Sequence, residues 1–193
     1  NFIMTQKSLA TNYNAMEIFS VKNKVVFITG SSRGVGREIA MAFLKLKAVV
    51  IGVSRNENKS IKHKNYYHLV CDLKNYQALK HTANQAFKIK KKIDVIINNA
   101  GITKEEQNNF YKSFKSFNKT LNVNLTAPYA ISHFLIKALK KNKNGGTIIN
   151  VSSINAELGF PNNPAYISSK SGLVGLTRSF ARDYGKFNIN FNA

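Results

Sequence analysis

A chain of 193 residues is long enough to bury roughly 70% of its unfolded surface in a core that needs no staples, and its one cysteine, Cys71, has no partner for an internal disulfide. The formal charge of +20 invites a nucleic-acid reading, but the lysines are spread over nearly every segment and no ribonucleoprotein or zinc-finger motif accompanies them, so no nucleic-acid partner is expected. Residues 1–22 read as an extension that mixes charged and apolar side chains without a continuous apolar core, which supports neither a signal peptide nor a membrane span there and leaves a cytoplasmic protein with no membrane partner as the expectation.

The remainder, 23–193, reads as a single domain. Lys24-Val-Val-Phe-Ile-Thr29 is a β-branched run that ends in Gly30-Ser-Ser-Arg-Gly-Val-Gly36, and a helical pattern follows from Arg37 with Ile39, Phe43 and Leu46 on one face. Strand, glycine turn and helix together have the geometry of a dinucleotide site. Gly30 allows the tight turn, Gly34 and Gly36 let the backbone approach a pyrophosphate, and the helix N-terminus favours its charge. The glycines are spaced G-x-x-x-G-x-G rather than G-x-G-x-x-G.

A second strand, Ala48 to Val53, closes on Ser54-Arg55. An acid near this strand end would hold the ribose 2'-hydroxyl of NAD(H), and none precedes Arg55. Arg55, helped by Arg33, is therefore expected to clamp the 2'-phosphate of NADP(H). One charge-assisted contact of roughly 1.5–3 kcal/mol would give about 10- to 150-fold preference over NAD(H). A solvated arginine is the alternative at both positions.

Asn56 to Asn65 is too short for a full crossover helix. The third strand, Tyr66 to Cys71, holds Cys71 as a buried, inert thiol and ends at Asp72-Leu73. Asp72 either caps the next helix, Leu73 to about Lys90, or meets the adenine. The fourth strand, Ile93 to Ile97, runs into Asn98-Asn-Ala-Gly101, small and amide residues at the end where ligands lie in open α/β sheets. After a polar loop, Ile102 to Asn109, the residues Phe110, Phe114, Phe117, Leu121 and Leu125 keep helical spacing and read as core or subunit interface. Asn124 in this run is either a buried amide in need of partners or a local bend in the helix.

Gly145-Gly146 precedes a fifth strand, Thr147 to Val151, which carries Ser152 and Ser153 at its carboxyl end. Pro164 opens a helix to about Lys186 in which Gly172 and Gly175 mark close packing, and Phe187 to Ala193 alternates like a strand. Strands alternating with helices call for a doubly wound parallel sheet with helices on both faces, a Rossmann-type three-layer α/β sandwich.

On the helix after Pro164, Tyr166 and Lys170 share one face a turn apart. A phenol exchanges protons poorly at neutral pH. An ammonium about 4 Å away, at an effective dielectric of ~20, favours the phenolate by roughly 4 kcal/mol and would poise such a pair for general acid and base work; the alternative is a spacing that arises by chance in many helices. Ser168 and Ser169, between them, read as helix filler.

These motifs in this order resemble the short-chain dehydrogenase/reductase superfamily over about Lys24 to Ala193: the Thr29 to Gly36 turn, Asp72-Leu73, Asn98 to Gly101, Asn124-Leu125, and Ser153 ahead of Tyr166-x-x-x-Lys170. The resemblance implies a nicotinamide cofactor held by Gly30, Ser32, Arg33, Gly34, Val35, Gly36, Ser54, Arg55, Asp72, Leu73, Asn99, Ala100 and Gly101, with Tyr166 and Lys170 at its reactive end. It also implies a catalytic tetrad. Tyr166 protonates a carbonyl oxygen, Lys170 makes the phenol more acidic and bonds the nicotinamide ribose, Ser153 holds the substrate oxygen, and Asn124 anchors a water of the proton relay. The family's spacing to the tyrosine selects Ser153 over Ser152. Homo-oligomers, dimers or tetramers, are expected.

The family's pattern continues past Ala193 into a final strand and a substrate lid, which are expected to be missing from this sequence. The function expected is NADP(H)-dependent interconversion of a small-molecule ketone and a secondary alcohol, with a carrier-bound 3-oxoacyl thioester, a sugar or a polyol as the substrate. A catalytically silent NADP-binding module is the alternative from another class.

Overall fold

The computed structural model describes residues 20–57, 60–105 and 109–193, so the extension drawn at 1–22 lies outside the described residues up to position 19. Strands β1 (Val25–Thr29), β2 (Val49–Ser54), β3 (Tyr66–Val70), β4 (Val95–Asn98), β5 (Gly146–Asn150) and β6 (Ile189–Asn192) form one sheet in the order β3-β2-β1-β4-β5-β6. Every pairing is parallel. The helices are α1 (Gly34–Lys45), α2 (Tyr76–Lys90), α3 (Phe110–Leu121), α4 (Ala127–Lys140) and α5 (Pro164–Tyr184). This is the doubly wound Rossmann-type architecture expected from the alternation of strands and helices.

Side-chain alternation on β1 shows how both faces are covered. Val25 and Phe27 pack with Leu79, Ala83 and Leu135 of α2 and α4, whereas Val26 and Ile28 pack with Ala40 and Leu44 of α1. A central strand buried on both faces needs an unbroken apolar run, and β1 has one. The strand order reverses direction between β1 and β4, which opens a crevice at their carboxyl ends.

Several local readings change. Helix α1 starts at Gly34 rather than Arg37, so Gly34 and Gly36 belong to its first turn. Helix α2 starts at Tyr76, and Asn75 caps it by accepting from the Ala78 N–H at 3.0 Å. Asp72 is therefore not the cap; it accepts from the Lys74 N–H at 3.1 Å and pairs with the Lys74 ammonium at 3.3 Å. Among the described residues no helix bridges β2 and β3, and the buried Ile61 packs in that connection instead. Phe110 and Phe114 are 77% and 58% exposed, so neither lies in the core of this chain. A side chain added at Gly172 would press on Leu125, but one at Gly175 would meet open space, so only Gly172 marks close packing.

The run from Phe110 to Lys140 is not a uniform helix. Between α3 and α4, Asn122–Thr126 forms a π-helical turn, closed by the Ala127 N–H bonding back to Asn122 O. Pro128 supplies a physical cause. It has no N–H to give the carbonyl of Asn124, and its ring crowds that carbonyl in a regular α-helix, so a wider turn relieves the clash. Asn124, expected as either a buried amide or a local bend, is a buried amide at the centre of this π-turn.

Candidate active site

The site is assembled at the carboxyl ends of β1, β4 and β5. Gly30, at φ +73°, turns the chain out of β1. The Thr29 hydroxyl accepts from the N–H groups of Asn99 (3.2 Å) and Ala100 (3.1 Å), and the Asn99 amide donates to the Thr29 carbonyl at 3.0 Å. The β4 end is thereby locked onto the glycine turn. A Cβ at Gly36 would overlap both the Gly30 carbonyl and the Asn99 amide. Packing within the protein thus requires glycine at position 36. Gly34 differs: its φ is +55° and the space beyond it is open.

A groove of about 620 Å³ runs along these strand ends. Gly30, Ser32, Arg33, Gly34, Val35, Gly36, Ser54, Arg55, Asp72, Leu73, Asn99, Ala100 and Gly101 all line it, so every position expected to touch the cofactor outside the tyrosine helix meets in one place. Glu57, Lys74 and Lys119, which the sequence did not single out, line it too. Burial works to raise the Asp72 carboxyl, but the Lys74 amide and ammonium, with Arg55 beyond, outweigh it and hold the group below the usual carboxylate range. Cys71, on the same wall, is buried, and burial pushes its thiol up, in keeping with an unreactive side chain.

Tyr166 and Lys170 do not line the groove itself; they stand at its end. A Cβ at Gly101 would lie 3.7 Å from the Lys170 ammonium and 3.5 Å from Asn124 Oδ1. Lys170 is 4% exposed, and its Nζ sits 5.7 Å from the centre of the Tyr166 ring. The ammonium donates to the Val151 carbonyl at 2.6 Å, and the Ser152 hydroxyl donates to the Lys170 carbonyl at 3.3 Å. Ser171 adds a bond from its hydroxyl to the Ala156 carbonyl at 2.7 Å. Helix α5 is therefore stitched along the segment that carries Ser153. Ser153 itself caps the short 3-10 turn Ile154–Ala156, accepting from the Asn155 N–H at 3.2 Å. Burial pushes the Lys170 ammonium down from 10.5 to about 8, because a charge with little water around it is costly to keep.

Two supports went unread. The Glu105 carboxylate accepts from the N–H groups of Tyr166 (2.7 Å) and Ala165 (3.3 Å), so it caps α5 from the loop after β4. Asn163, at the N-cap position, makes no side-chain cap bond of its own. Nothing local marks Glu105, which is 61 residues from Tyr166. Ser169, read as filler, is fully buried; it donates to the Tyr166 carbonyl at 2.7 Å and accepts from the Asn124 amide at 3.1 Å. Asn124 also closes a pair of bonds with the backbone of Ile102, accepting from its N–H and donating to its carbonyl at 2.9 Å each. Behind the site, Asn98 donates to Asn150 at 2.8 Å and Asn150 to Thr177 at 2.9 Å, which fixes β4, β5 and α5 relative to one another.

A parallel sheet with a ligand groove at its switch point and a tyrosine-lysine helix at the groove's end defines an oxidoreductase of the Rossmann class. The sequence pattern of the short chain dehydrogenase family matches residues 24–193, and the chain belongs to that family, the short-chain dehydrogenase/reductase superfamily. Its relatives differ in what they are named for. The 3-oxoacyl-(acyl-carrier-protein) reductase FabG of Vibrio harveyi is 31% identical, over 90% of this chain and 72% of that protein. A 3alpha-hydroxysteroid dehydrogenase of Mediterraneibacter gnavus is 34% identical over the same shares, 90% and 72%. The ligand-free structure of Thermoplasma acidophilum aldohexose dehydrogenase matches with a TM-score of 0.82 and 34% identity, over 90% of this chain and 66% of that one. Among the described residues no helix is long and apolar enough to cross a membrane.

Proposed function

We propose that this chain interconverts a ketone and a secondary alcohol with NADP(H), using Tyr166 as the general acid and base. The observation that carries the reading is the placement of the buried Lys170 ammonium, beside the Tyr166 ring and against Gly101 at the end of the groove. A buried cation is costly unless partners hold it, and here the Val151 carbonyl and a phenol stand beside it rather than a carboxylate.

The groove fits a dinucleotide. Gly34 leaves an open cradle at the first turn of α1, where N–H groups lack partners within the helix, and the extended Arg33 at the N-cap fills none of them with its side chain. Arg33 and Arg55 would take the 2'-phosphate, and Asp72 and Leu73 the adenine side. Asn99, Ala100 and Gly101 would line the path to the nicotinamide. When bound, the nicotinamide supplies the hydride donor or acceptor.

Every other part of the chemistry belongs to this chain. An ammonium has three N–H donors, and Val151 occupies one, which leaves Lys170 able to hold ribose hydroxyls and to favour the phenolate of Tyr166. In reduction, Tyr166 O–H gives its proton to the carbonyl oxygen as charge develops there, and Ser153 Oγ donates to the same oxygen. In oxidation, the phenolate takes the proton back. Asn124 has its amide committed to Ile102 and Ser169 and so shapes the loop after β4, besides the water-anchoring part in the proton relay that the resemblance implies for it.

Ile154, Leu158 and Phe160, between Ser153 and Tyr166, are 73%, 52% and 56% exposed. Apolar side chains beside the reacting centre favour a substrate with an apolar arm, such as a 3-oxoacyl thioester, over a polyol or sugar. The test is to follow the near-ultraviolet absorbance of reduced nicotinamide with protein, NADPH and a panel of 3-oxoacyl thioesters, ketosteroids and ketoses. Turnover of the thioesters, its loss in Tyr166→Phe and retained cofactor binding in that variant are expected. Full activity of Tyr166→Phe would end the mechanistic reading.

A further inference from the structure

Among the described residues of the short connection between β2 and β3 no helix covers the adenosine end of the sheet, and a chain of side-chain hydrogen bonds stands there. Tyr66 and His68, two apart on the edge strand β3, point to the same face. The Tyr66 hydroxyl lies 3.1 Å from Ser31 Oγ and 3.1 Å from His68 Nδ1. On its other side, His68 Nε2 lies 3.1 Å from Ser54 Oγ and 3.1 Å from the Asn56 carbonyl, and Ser54 Oγ donates to that same carbonyl at 2.8 Å. Room for the chain comes from Gly52 in the middle of β2, where a Cβ would overlap Ser31 Oγ and the Tyr66 hydroxyl.

The direction of the chain follows from chemistry. A carbonyl can only accept, so Nε2 carries the hydrogen and Nδ1 accepts from the Tyr66 O–H; the Tyr66 oxygen then accepts from Ser31 Oγ. The imidazole thus grips the backbone and side chain on either side of Arg55. Ser54 and Asn56 are both held by it, and Arg55 stands between them on the groove wall.

We propose that His68 is a positioning residue for cofactor discrimination: it fixes the Ser54–Asn56 turn so that Arg55 meets the ribose 2'-phosphate in one geometry. A guanidinium recognises phosphate by direction as well as charge, so a loosened turn gives up selectivity while the rest of the groove still binds. The inference rests on the NADP(H) reading above and goes beyond it, since His68 does not itself line the groove and acts through Ser54 and Asn56, which do.

The experiment measures dissociation constants for NADPH and NADH with the full chain by cofactor fluorescence, alongside thermal melting. Wild type should prefer NADPH, and Arg55→Ala should lose most of that preference. His68→Leu, with Arg55 intact, should lower the NADPH-to-NADH preference by about 5- to 20-fold and leave NADH affinity within about twofold. His68→Gln, whose amide still donates to the Asn56 carbonyl, should recover the larger part. An unchanged preference in His68→Leu, or equal weakening of both cofactors, overturns the positioning role while leaving Arg55 as the phosphate reader. Absence of NADPH preference in wild type, or its survival in Arg55→Ala, overturns both. If His68→Leu fails to fold, Tyr66→Phe breaks the same chain from its other end, and an unaltered preference there overturns the proposal equally.

Discussion

The amide of Asn124 and the hydroxyl of Ser169 meet at 3.1 Å, both fully buried, and join the π-turn to the tyrosine helix one residue before Lys170. Through its other bonds Asn124 holds the backbone of Ile102, so one side chain ties the loop after β4 to the helix that presents Tyr166. Asn124→Ala should orphan the Ile102 N–H and carbonyl, take one accepted bond from the Ser169 hydroxyl, and destabilise the protein by about 2–4 kcal/mol. Ser169→Ala removes the bond to the Tyr166 carbonyl and the one from the Asn124 amide but leaves the Ile102 pair intact, and should cost about 1–2 kcal/mol. Urea unfolding of the two variants measures the difference, and equal costs would show that the Ile102 clasp contributes little.

Lys170 makes stability depend on pH in a defined window. Its folded value, about 8, lies below its unfolded 10.5, so the unfolded chain holds more protons between those limits. The burial penalty is complete below pH 8 and is relieved as pH rises from about 8 toward 10.5, by about 3 kcal/mol at most. Lys170→Met should lose this rise. Unfolding free energies of wild type and variant across that range should converge at high pH and separate below it.

The same titration bears on activity. As Lys170 loses its proton above about pH 8, the ammonium that steadies the phenolate is lost, and kcat/KM should fall on the alkaline side. In Lys170→Arg the alkaline limb should move up, at some cost in rate from the bulkier head. A limb that stays in place in this variant would assign the titration to another group.

Glu105 anchors the start of α5 from a distance, with the Tyr166 N–H as its shorter contact. Glu105→Ala should cost about 1–2 kcal/mol and lower kcat more than it raises KM, because Tyr166 loses its fixed approach. Glu105→Gln keeps an acceptor oxygen and should recover most of both. Steady-state kinetics with thermal melts would separate a positioning effect from simple loss of fold.

Two glycines of one turn should respond differently to alanine. At Gly36 a methyl group would collide with the Gly30 carbonyl and the Asn99 amide, and the variant should lose about 2–3 kcal/mol. At Gly34 the space is open and only the left-handed backbone resists, so about 1 kcal/mol is expected. Cofactor affinity in Gly34→Ala reports on the cradle directly, since the fold there should survive.

The strands, the glycine turn and the order of helices were legible because they are written in short-range patterns. Val25 to Thr29 must be buried on both faces of a parallel sheet, and its apolar run says so without reference to anything distant. Tyr166 and Lys170 were legible for the same reason, since helical spacing alone puts them on one face. Helix starts were less so: Asn75 caps α2 where Asp72 was the rival, because both residue types can serve and the turn between them decides.

What remained hidden is held by contacts between distant segments. Glu105 on the α5 terminus, Ser169 on Asn124, and the Ser31, Tyr66, His68 and Ser54 chain each join residues that no local period relates. Their partners are chosen by how strands and helices pack, and a polar side chain becomes informative only when burial obliges it to find one. Sequence alone determined the class of fold and which side chains are candidates for the chemistry, through patterns a few residues long. Tertiary structure decided how those side chains are held and how costly the Lys170 charge is, because desolvation depends on everything that surrounds a group in space.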